Sequence, residues 1–402
     1  MTSLLRRLHV ARARTVLEDI ARGSKPADQV LDALYRQHKE MGKRDRAAVS
    51  GMVYGVLRDV GRLQALAGDD PAGWLARHLA DAGHSADTLA ALDLPTPAAE
   101  AALPDHARAN LPPHWWAALV AELGEAEART TAAALREPAP TTVRVNTLKT
   151  TRDAALAALA AEGVAASPCT LAAQGIQLAQ RLSKHAPLLV SGVIEPQDEG
   201  SQLLAQLADA RPGQLVIDWC AGAGGKSLAL AAAMHNRGRI VACDITASRL
   251  AKIGPRAERA GVSIVTTHRL TPDGPAPADG ALADVVLVDA PCSGTGTLRR
   301  SPELRLRAID FTALAALQGQ ILRDAAQQVR PGGRLIYATC SLLQQENEAV
   351  VEAFLATHPH FAPAATPSAF PAGLCTPNGH LRLWPHRQGT DGFFAAGFQR
   401  LR

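Results

Sequence analysis

Two cysteines of this 402-residue chain stand where they could do chemistry together. Cys292 follows the apolar run ADVVLVDAP and Cys340 follows the apolar run GRLIYAT, so each thiol comes just after a predicted buried strand. In doubly wound sheets the carboxyl ends of the strands form the ligand crevice, so both thiols are expected to point into one pocket. A buried cysteine can equally be a small hydrophobe. We keep that interpretation for Cys169 and Cys243, whose surroundings are apolar or loop-like.

A thiol pair of this kind suits the methylation of a pyrimidine at carbon 5. A thiolate that adds to carbon 6 makes carbon 5 able to attack an electrophilic methyl group. The proton on carbon 5 must then leave so that the thiol can be expelled. Asp289, three residues before Cys292, is placed to assist the addition at N3 of the base. Lys226 is a candidate source of the positive charge that favours a thiolate.

The glycine-rich stretch DWCAGAGGKS, from Asp218 to Ser227, indicates a ligand loop between a strand and a helix. A phosphate-binding P-loop would need glycine at position 220, which is Cys220, and the dinucleotide pattern would need glycine at position 227, which is Ser227. Asp244 ends the next predicted strand, where an acid usually accepts hydrogen bonds from ribose hydroxyls. S-adenosylmethionine (SAM) fits best because it has no phosphate. A dinucleotide and no ligand at all stay open.

The order and spacing of the predicted helices and strands indicate three domains, which position these residues. Residues 1–140 show the apolar periodicity of amphipathic helices. Residues 141–196 mix short strands with a helix and form a small α+β module. From residue 197 to 402, short apolar strands alternate with helices, which indicates a doubly wound parallel sheet of the α/β class. The stretch DGFFAAGFQRL is expected to be its last strand.

Composition limits the partners of the protein. The net charge of +4 is compatible with a nucleic-acid partner but too weak to prove one. Six cysteines without a CxxC pair argue against a zinc ribbon or a disulfide framework. No apolar run reaches the length of a membrane span, and the basic start of the chain lacks the core of a signal peptide. We therefore expect a cytoplasmic monomer with no metal and no membrane contact.

The motifs in combination resemble a known family. DWCAGAGGKS, DAPCSGTGTLRRSPE and YATCSLLQQENEAVV are similar to the motifs of the NOL1/NOP2/Sun family of RNA cytosine-5 methyltransferases. RVNTLK, QDEGSQLL and DGFF match the same family, so the resemblance covers about 141 to 402. RARTVLEDI and KRDRAAVSGMVYGVLR resemble a NusB-type helical RNA-binding domain. The resemblance implies a Rossmann-like SAM methyltransferase domain, an N-terminal all-α NusB-like domain and an RRM-like module between them.

The resemblance also implies roles for individual residues. Cys340 would be the nucleophile on carbon 6, Cys292 would assist product release, and Asp289 would contact N3 and the amino group of a flipped cytosine. A third SAM contact is expected near His268, Arg269 or Asp273. The residues that would line the SAM site are Cys220, Ala221, Gly222, Ala223, Gly224, Gly225, Lys226, Asp244, Arg249 and Asp289.

Contacts with RNA are expected from a few basic and polar residues. Arg144 and Asn146 are assigned to RNA by the resemblance alone. Arg299 and Arg300, with Arg305 and Arg307, could hold phosphates or form a solvated face. The target cytosine must leave any base stack to reach the pocket, so a loop or locally opened RNA is expected.

The sequence therefore predicts SAM-dependent methylation of carbon 5 of a cytosine in ribosomal RNA, with 16S RNA as the expected target. The same chemistry on transfer RNA or 23S RNA stays open. A second hypothesis is a non-catalytic RNA-binding or ribosome-assembly factor on a methyltransferase fold. A NAD oxidoreductase is disfavoured by the broken dinucleotide pattern and by the two thiols.

Overall fold

The computed structural model describes residues 6–23, 25–99, 101–272 and 274–401, which form two compact units. The first contains the residues up to Pro138 and the returning segment Thr297–Ile309, and the second contains Ala139–Gly296 and the residues from Asp310 onward. The sequence-based division left 297–309 in the catalytic domain and separated the α+β module from it. The structure groups that segment with the helices and the module with the catalytic sheet. None of the helices in the described part is long and apolar enough to cross a membrane.

The first unit is helical because its apolar residues recur at helical spacing and bury one face of each helix. Val10, Val16, Leu17 and Ile20 of the first helix are all buried in the core of this unit. The helices are α1 (Arg7–Arg22), α2 (Ala27–Gln37), α3 (Lys43–Arg58), α4 (Val60–Ala67), α5 (Pro71–Asp81), α6 (Ala86–Ala91), α7 (Asp105–Arg108), α8 (Pro113–Leu123) and α9 (Glu125–Ala134).

The α+β module opens the second unit. Its strands pair antiparallel in the order β2-β3-β1-β4, and alternate residues such as Val143 and Val145 enter its core. The elements are β1 (Thr141–Val145), α10 (Arg152–Ala161), β2 (Ala166–Pro168), β3 (Gly175–Leu178), α11 (Pro187–Val190) and β4 (Ile194–Pro196).

The large sheet of the second unit has the order β10-β12-β9-β8-β5-β6-β7, and β11 pairs with β12. Strands β5 to β9 are parallel, whereas β10, β11 and β12 are antiparallel additions at one side. The doubly wound parallel sheet expected from the sequence is confirmed, with three antiparallel strands added at one side. The strands are β5 (Leu215–Asp218), β6 (Arg239–Asp244), β7 (Val265–Arg269), β8 (Ala283–Asp289), β9 (Val329–Thr339), β10 (Phe361–Pro363), β11 (Leu381–Leu383) and β12 (Phe393–Arg400).

Helices cover both faces of this sheet, which explains why its strands are apolar throughout. Along β8, Val285 and Leu287 enter one core cluster, while Val286 and Val288 enter the cluster on the opposite face. The helices are α12 (Glu199–Leu207), α13 (Gly225–Ala233), α14 (Ala247–Leu250), α15 (Ile253–Ala260), α16 (Phe311–Ala326), α17 (Glu348–Thr357) and α18 (Pro385–Gln388).

Candidate active site

Acidic and thiol side chains collect where the parallel strands end. β5 lies between β6 and β8, so the strand order reverses beside it, and ligands of doubly wound sheets bind at such a point. Asp218, Asp244 and Asp289 are the last residues of β5, β6 and β8. Cys340 directly follows the last residue of β9. One edge of the sheet therefore holds the residues that the sequence singled out on four separate strands.

The structure brings the two cysteines together. The Sγ atoms of Cys292 and Cys340 lie 3.3 Å apart. Strands β8 and β9 are parallel neighbours with Asp289 opposite Ala338, so the loops that leave them start side by side. The backbone N–H of Gly296 donates to the carbonyl oxygen of Cys340 over 2.9 Å and joins the two loops further along. A reacting base at this edge would meet both thiols.

Burial and the neighbouring sulfur both act on the Cys292 thiol. The hydrogen bond with Cys340 raises the pKa of Cys292 well above its usual value, and burial and the negative charges of Cys340 and Glu346 raise it further. The Cys292 thiol therefore loses its proton less readily than an exposed cysteine does.

Lys226 and Asp289 form an ion pair beside the thiols. The Nζ atom of Lys226 lies 2.6 Å from Oδ2 of Asp289. Burial lowers the pKa of Lys226, but the charge of Asp289 and the hydrogen bond to it outweigh that effect, so the pKa is raised overall. The negative charges of Asp218 and Cys340 act in the same direction. Lys226 thus stays protonated, and its charge is shared between a carboxylate and the candidate nucleophile.

The glycine loop turns tightly between β5 and α13. Gly222 and Gly224 have φ values of 55° and 81°, which favour glycine over any other residue. A Cβ atom on Gly224 would also lie only 2.9 Å from Cγ1 of Ile253, so the turn has no room for a side chain there. At Gly222 the space around a Cβ is open within 4 Å. The loop therefore leaves backbone exposed to a ligand at Gly222.

Asp244 ties this loop to the neighbouring strand. Its Oδ2 accepts from the backbone N–H of Gly222 over 3.0 Å, and its Oδ1 accepts from Thr246 over 2.7 Å. A carboxylate has further lone pairs, so Asp244 can still accept from ribose hydroxyls. Ile245, which follows it, is 72% exposed and offers an apolar surface at the same place. Sequence reasoning did not single out Ile245, although an apolar residue after a strand-end acid is a visible signal.

Asp218 is the deepest acid at this edge. It is fully buried, its Oδ2 accepts from the hydroxyl of Ser227 over 2.6 Å, and burial raises its pKa to about 6. Its Oδ1 is buried and has no partner among the described residues. A buried acceptor without a partner is costly unless a ligand supplies a donor. The edge thus fits a polar cofactor at the glycine loop.

The remaining residues assigned to the cofactor lie around this loop. Ala223 accepts a hydrogen bond from Arg256 through its carbonyl oxygen, while burial raises the pKa of Cys220. Arg249 is exposed on α14. His268 and Arg269 end β7, where their side chains contact the carbonyl oxygens of Pro275 and Ile245. Asp273, the other residue expected there, lies outside the described residues.

Arg144 and Asn146, assigned to RNA by resemblance, have buried side chains that bond within the second unit. Arg144 donates to Gln197 over 2.7 Å, and burial lowers its pKa to about 10. Asn146 donates to the carbonyl oxygens of Gly192 and Ala260 over 3.0 and 2.8 Å. These contacts join the α+β module to the methyltransferase sheet. A direct contact with RNA stays a prediction for both residues.

The arginines after the Cys292 motif divide into two kinds. Arg299 and Arg300 are partly exposed, and Arg299 donates to the carbonyl oxygen of Pro138 over 3.1 Å. Arg305 is buried in the first unit, where it donates to the carbonyl oxygens of Asn110 and Leu135 over 3.0 and 2.9 Å. The expectation that Arg305 holds a phosphate is wrong, because its guanidinium is used inside the protein. The RNA role of Arg299 and Arg300 stays a prediction.

A buried polar cluster behind the cysteines was missed by sequence reasoning. Ser293 follows Cys292, Ser341 follows Cys340, and both hydroxyls donate to the carboxylate of Glu346 over 2.5 Å. Gln318 of α16 donates to the same carboxylate over 2.9 Å. The available signal was a serine after each cysteine with an acid a few residues downstream. The described residues contain no group of three or more metal-ligating side chains.

Two family models match the chain. A model described as 16S rRNA methyltransferase RsmB/F matches residues 205–399, and the ferredoxin-like domain of RsmF/B-like methyltransferases matches residues 112–185. The fold is thus that of a Rossmann-like methyltransferase with a ferredoxin-like module.

Relatives from several bacteria agree with this class. Ribosomal RNA small subunit methyltransferase B of Xylella fastidiosa is 35% identical over 293 residues, which are 71% of this chain and 67% of the relative. A protein of Bacillus subtilis named probable ribosomal RNA small subunit methyltransferase B is 34% identical over 65% of this chain and 60% of its own length. The chain therefore belongs to the RsmB/F family, and it spans about 60% of the length of some of its relatives.

Solved structures share the fold. The crystal structure of PH0851 has a TM-score of 0.82 and 24% identity, with full coverage of both chains. A methyltransferase homologue from Pyrococcus horikoshii has a TM-score of 0.63 and 28% identity over 74% of this chain and 97% of its own. NSun6 from the same organism, solved with the ligand SFG, has a TM-score of 0.65 and 21% identity over 72% of this chain and 98% of its own. The resemblance found in the sequence is confirmed, and the family it names is SAM-dependent.

Proposed function

We propose that the protein methylates carbon 5 of a cytosine in the RNA of the small ribosomal subunit. The observation that carries this proposal is the 3.3 Å separation of the Cys292 and Cys340 sulfurs at the ligand edge of the sheet. Pyrimidine methylation at carbon 5 uses a thiolate to activate the base and a second group to help release it. Membership in the RsmB/F family supports ribosomal RNA as the substrate class.

SAM is the proposed methyl source, and when bound it supplies an electrophilic methyl group. The glycine loop from Cys220 to Gly225 would hold SAM. Asp244 would contact its ribose, and Ile245 would lie against its adenine ring. The unpartnered Oδ1 of Asp218 and the open space at Gly222 support a polar ligand there. NSun6, which shares the fold, was solved with SFG, a SAM analogue.

Cys340 is the proposed nucleophile. Its thiolate would add to carbon 6 of the cytosine, which places the electrons of the former double bond at carbon 5. After methyl transfer to carbon 5, a base must take the proton from that carbon. The electron pair of the C5–H bond then re-forms the C5–C6 double bond as the bond between carbon 6 and the Cys340 sulfur breaks. Cys292 is the proposed acceptor of this proton, a step that requires its thiolate form.

Asp289 and Lys226 would act on the polar edge of the base. Asp289 directs one oxygen to Lys226 over 2.6 Å, and about a third of its side chain is exposed to the site. In its ionised form, paired with Lys226, Asp289 can accept a hydrogen bond from the amino group of cytosine. Sharing a proton with N3 as electrons move into the ring requires that Asp289 carry a proton at that step. Lys226 holds Asp289 in place and supplies positive charge near the thiolate.

A denaturing-gel assay for a covalent protein–RNA adduct tests this function. Unmodified small-subunit ribosomal RNA and SAM would be mixed with the wild type, with Cys292→Ala and with Cys340→Ala. We expect Cys292→Ala to accumulate an adduct because release is slowed, and Cys340→Ala to form none. Transfer RNA and 23S RNA in parallel lanes test the alternative substrates.

The opposite pattern, with an adduct only in Cys340→Ala, would move the nucleophile to Cys292. The absence of an adduct and of methyl transfer on every RNA would favour a non-catalytic RNA-binding or assembly factor. Binding of SAM measured by calorimetry separates a decayed site from a wrong substrate. A cytoplasmic location and a monomeric state stay predictions.

A further inference from the structure

We propose that Glu346 is a positioning residue that holds the Cys292 and Cys340 loops at the spacing needed for catalysis, an inference that rests on the function proposed above. Glu346 ends a short 3-10 helix, Gln344–Glu346, that follows β9, and its side chain is fully buried. No part of it reaches the reacting atoms in the proposed scheme. Its action would pass through the residues that follow the two cysteines.

The carboxylate of Glu346 is the common acceptor of both loops. Its Oε1 accepts from the backbone N–H of Ser293 over 2.9 Å, and its Oε2 accepts from the Ser293 hydroxyl over 2.5 Å. The hydroxyl of Ser341 donates to the same Oε2 over 2.5 Å. Gln318 donates to Oε1 over 2.9 Å, which attaches the cluster to α16. Four donors from three separate segments therefore converge on one side chain.

The main chain beside Glu346 is fixed as well. The hydroxyl of Tyr337 on β9 donates to the carbonyl oxygen of Glu346 over 2.6 Å. The next residue, Asn347, donates to the carbonyl oxygen of Ser341 over 3.0 Å and accepts from Thr339 over 2.5 Å. These hydrogen bonds fix the main chain of Glu346 to β9, the strand that ends just before Cys340, and so hold its carboxylate in place.

A carboxylate suits this place because it only accepts hydrogen bonds. Glutamine has nearly the same shape, but its amide nitrogen would face donors such as the N–H of Ser293 or the amide of Gln318. One loop would then lose its acceptor and shift. A displacement of about 1 Å at a reacting group can cost about a hundredfold in rate. The substitution Glu346→Gln should therefore lower the rate through the spacing of the thiols. It also removes a negative charge that acts on Cys292, so Ser293→Ala and Ser341→Ala, which keep that charge, isolate the effect of spacing.

A trivalent arsenical measures that spacing without RNA or methyl transfer. Phenylarsine oxide reacts with two neighbouring thiols to form two As–S bonds, while its oxygen leaves with the two thiol protons as water. Binding would be followed by intact-mass spectrometry on the full-length wild type and on Glu346→Gln. Cys292→Ala and Cys340→Ala set the background from other cysteines. Glu352→Gln, on the exposed face of α17, is the matched control.

We expect the wild type and Glu352→Gln to bind one arsenical that depends on both cysteines. Glu346→Gln should bind it at least about tenfold more weakly, and its kcat should fall about a hundredfold while KM for RNA changes less than about threefold. A loss of stability alone would not lower kcat while leaving KM for RNA nearly unchanged, as long as the variant remains folded at the assay temperature. The proposal would be overturned if Glu346→Gln bound the arsenical and turned over as well as the wild type does. It would also be overturned if the wild type did not bind the arsenical.

Ser293→Ala and Ser341→Ala keep the experiment decisive if Glu346→Gln does not fold. Each removes a single hydroxyl donor from the cluster, so each should weaken arsenical binding and lower kcat in the same direction by a smaller factor. Unchanged values in both variants would overturn the proposal. A wild type that binds the arsenical but transfers no methyl group would instead refute the proposed function, so the two failures are distinguishable.

Discussion

Two regions joined by a few residues of chain use polar side chains in opposite ways. At the strand ends of the second unit, Asp289, Lys226 and the two cysteines remain partly open to a ligand. In the segment Thr297–Ile309 of the first unit, Arg305 is buried and serves backbone carbonyl groups. The difference teaches that a polar residue at the carboxyl end of a parallel strand can stay accessible to a ligand, whereas the position of Arg305 in a connection did not reveal that its side chain is buried.

The largest effect is expected at the strand ends. Asp289→Asn removes the negative charge that Lys226 pairs with and the carboxyl group proposed to act on the base. We expect kcat for methyl transfer to fall by roughly 10² to 10⁴, the range for loss of a general acid or base. Thermal stability should also fall, because the buried Lys226 loses its partner, so the assay is run where the variant remains folded. Steady-state transfer of labelled methyl groups checks this. Asp279→Asn, which changes a side chain that is 87% exposed, is the control. A normal kcat in Asp289→Asn would show that Asp289 does not act on the base.

In the buried segment the effect should fall on stability. Arg305→Ala leaves the carbonyl oxygens of Asn110 and Leu135 without their donor inside the helical unit. We expect a loss of about 3 kcal/mol from that unit, in the range for breaking a buried polar network. Amide hydrogen exchange in the full chain should speed up in peptides of α7 to α9 and stay unchanged in peptides of β5 to β9.

The exposed ion pair of Arg108 with Asp105 provides a control for that experiment. Arg108→Ala should change stability by less than about 1 kcal/mol, as surface pairs do. Equal effects of Arg305→Ala and Arg108→Ala would mean that the buried arginine is not structural.

The buried carboxyl group of Asp218, at the strand ends, should lower the free energy of unfolding at neutral pH. Burial raises its pKa to about 6, so between about pH 4 and pH 6 the folded state binds a proton that the unfolded chain releases. Stability therefore falls as the pH rises through this window and stays lower above it. Asp218→Asn should be more stable than the wild type at pH 7.5 by roughly 2 to 3 kcal/mol and equal to it near pH 4.

Urea unfolding at both pH values measures this difference, with the exposed Asp87→Asn as control. A stability gain that is the same at pH 4 and pH 7.5 would show that the charge of Asp218 is not its cause. A gain at pH 7.5 accompanied by weaker SAM binding would support a cofactor role for this acid.

The smallest effect concerns the two arginines that keep an RNA assignment. If Arg299 and Arg300 each hold a phosphate, the double substitution to alanine should weaken RNA binding only a few-fold. It should also reduce the slope of log affinity against log salt by about 1.4 for single-stranded RNA. Fluorescence titrations at several salt concentrations measure that slope. An unchanged slope would place Arg299 and Arg300 with Arg305, as structural residues.

The thiol pair was predictable because two local signals sufficed. Apolar runs mark β8 and β9, and parallel strands place their carboxyl ends at one edge, so Cys292 and Cys340 had to be neighbours once the strands were adjacent. Arg305 was not predictable. Its acceptor Asn110 lies 195 residues earlier, and nothing near position 305 indicates that the chain returns to the helical unit.

Glu346 was missed for a related reason. The stretch QQENE has the composition of a solvated turn, and only the tertiary contacts with Ser293 and Gln318 reveal that this acid is buried. The glycine loop was placed correctly because its turn is local. The last strand was also expected at DGFFAAGFQRL, but its antiparallel direction was not predicted, because no residue in β12 indicates how it pairs with β9.

Methylation of carbon 5 of a cytosine is tested most directly by identifying the nucleoside that receives the methyl group. Small-subunit ribosomal RNA lacking modifications would be incubated with the wild type and SAM carrying a labelled methyl group, then digested and separated by chromatography with mass detection. We predict that the label appears in 5-methylcytidine, and that Cys340→Ala abolishes it. Label in a different nucleoside, or 5-methylcytidine formed equally by Cys340→Ala, would contradict the account.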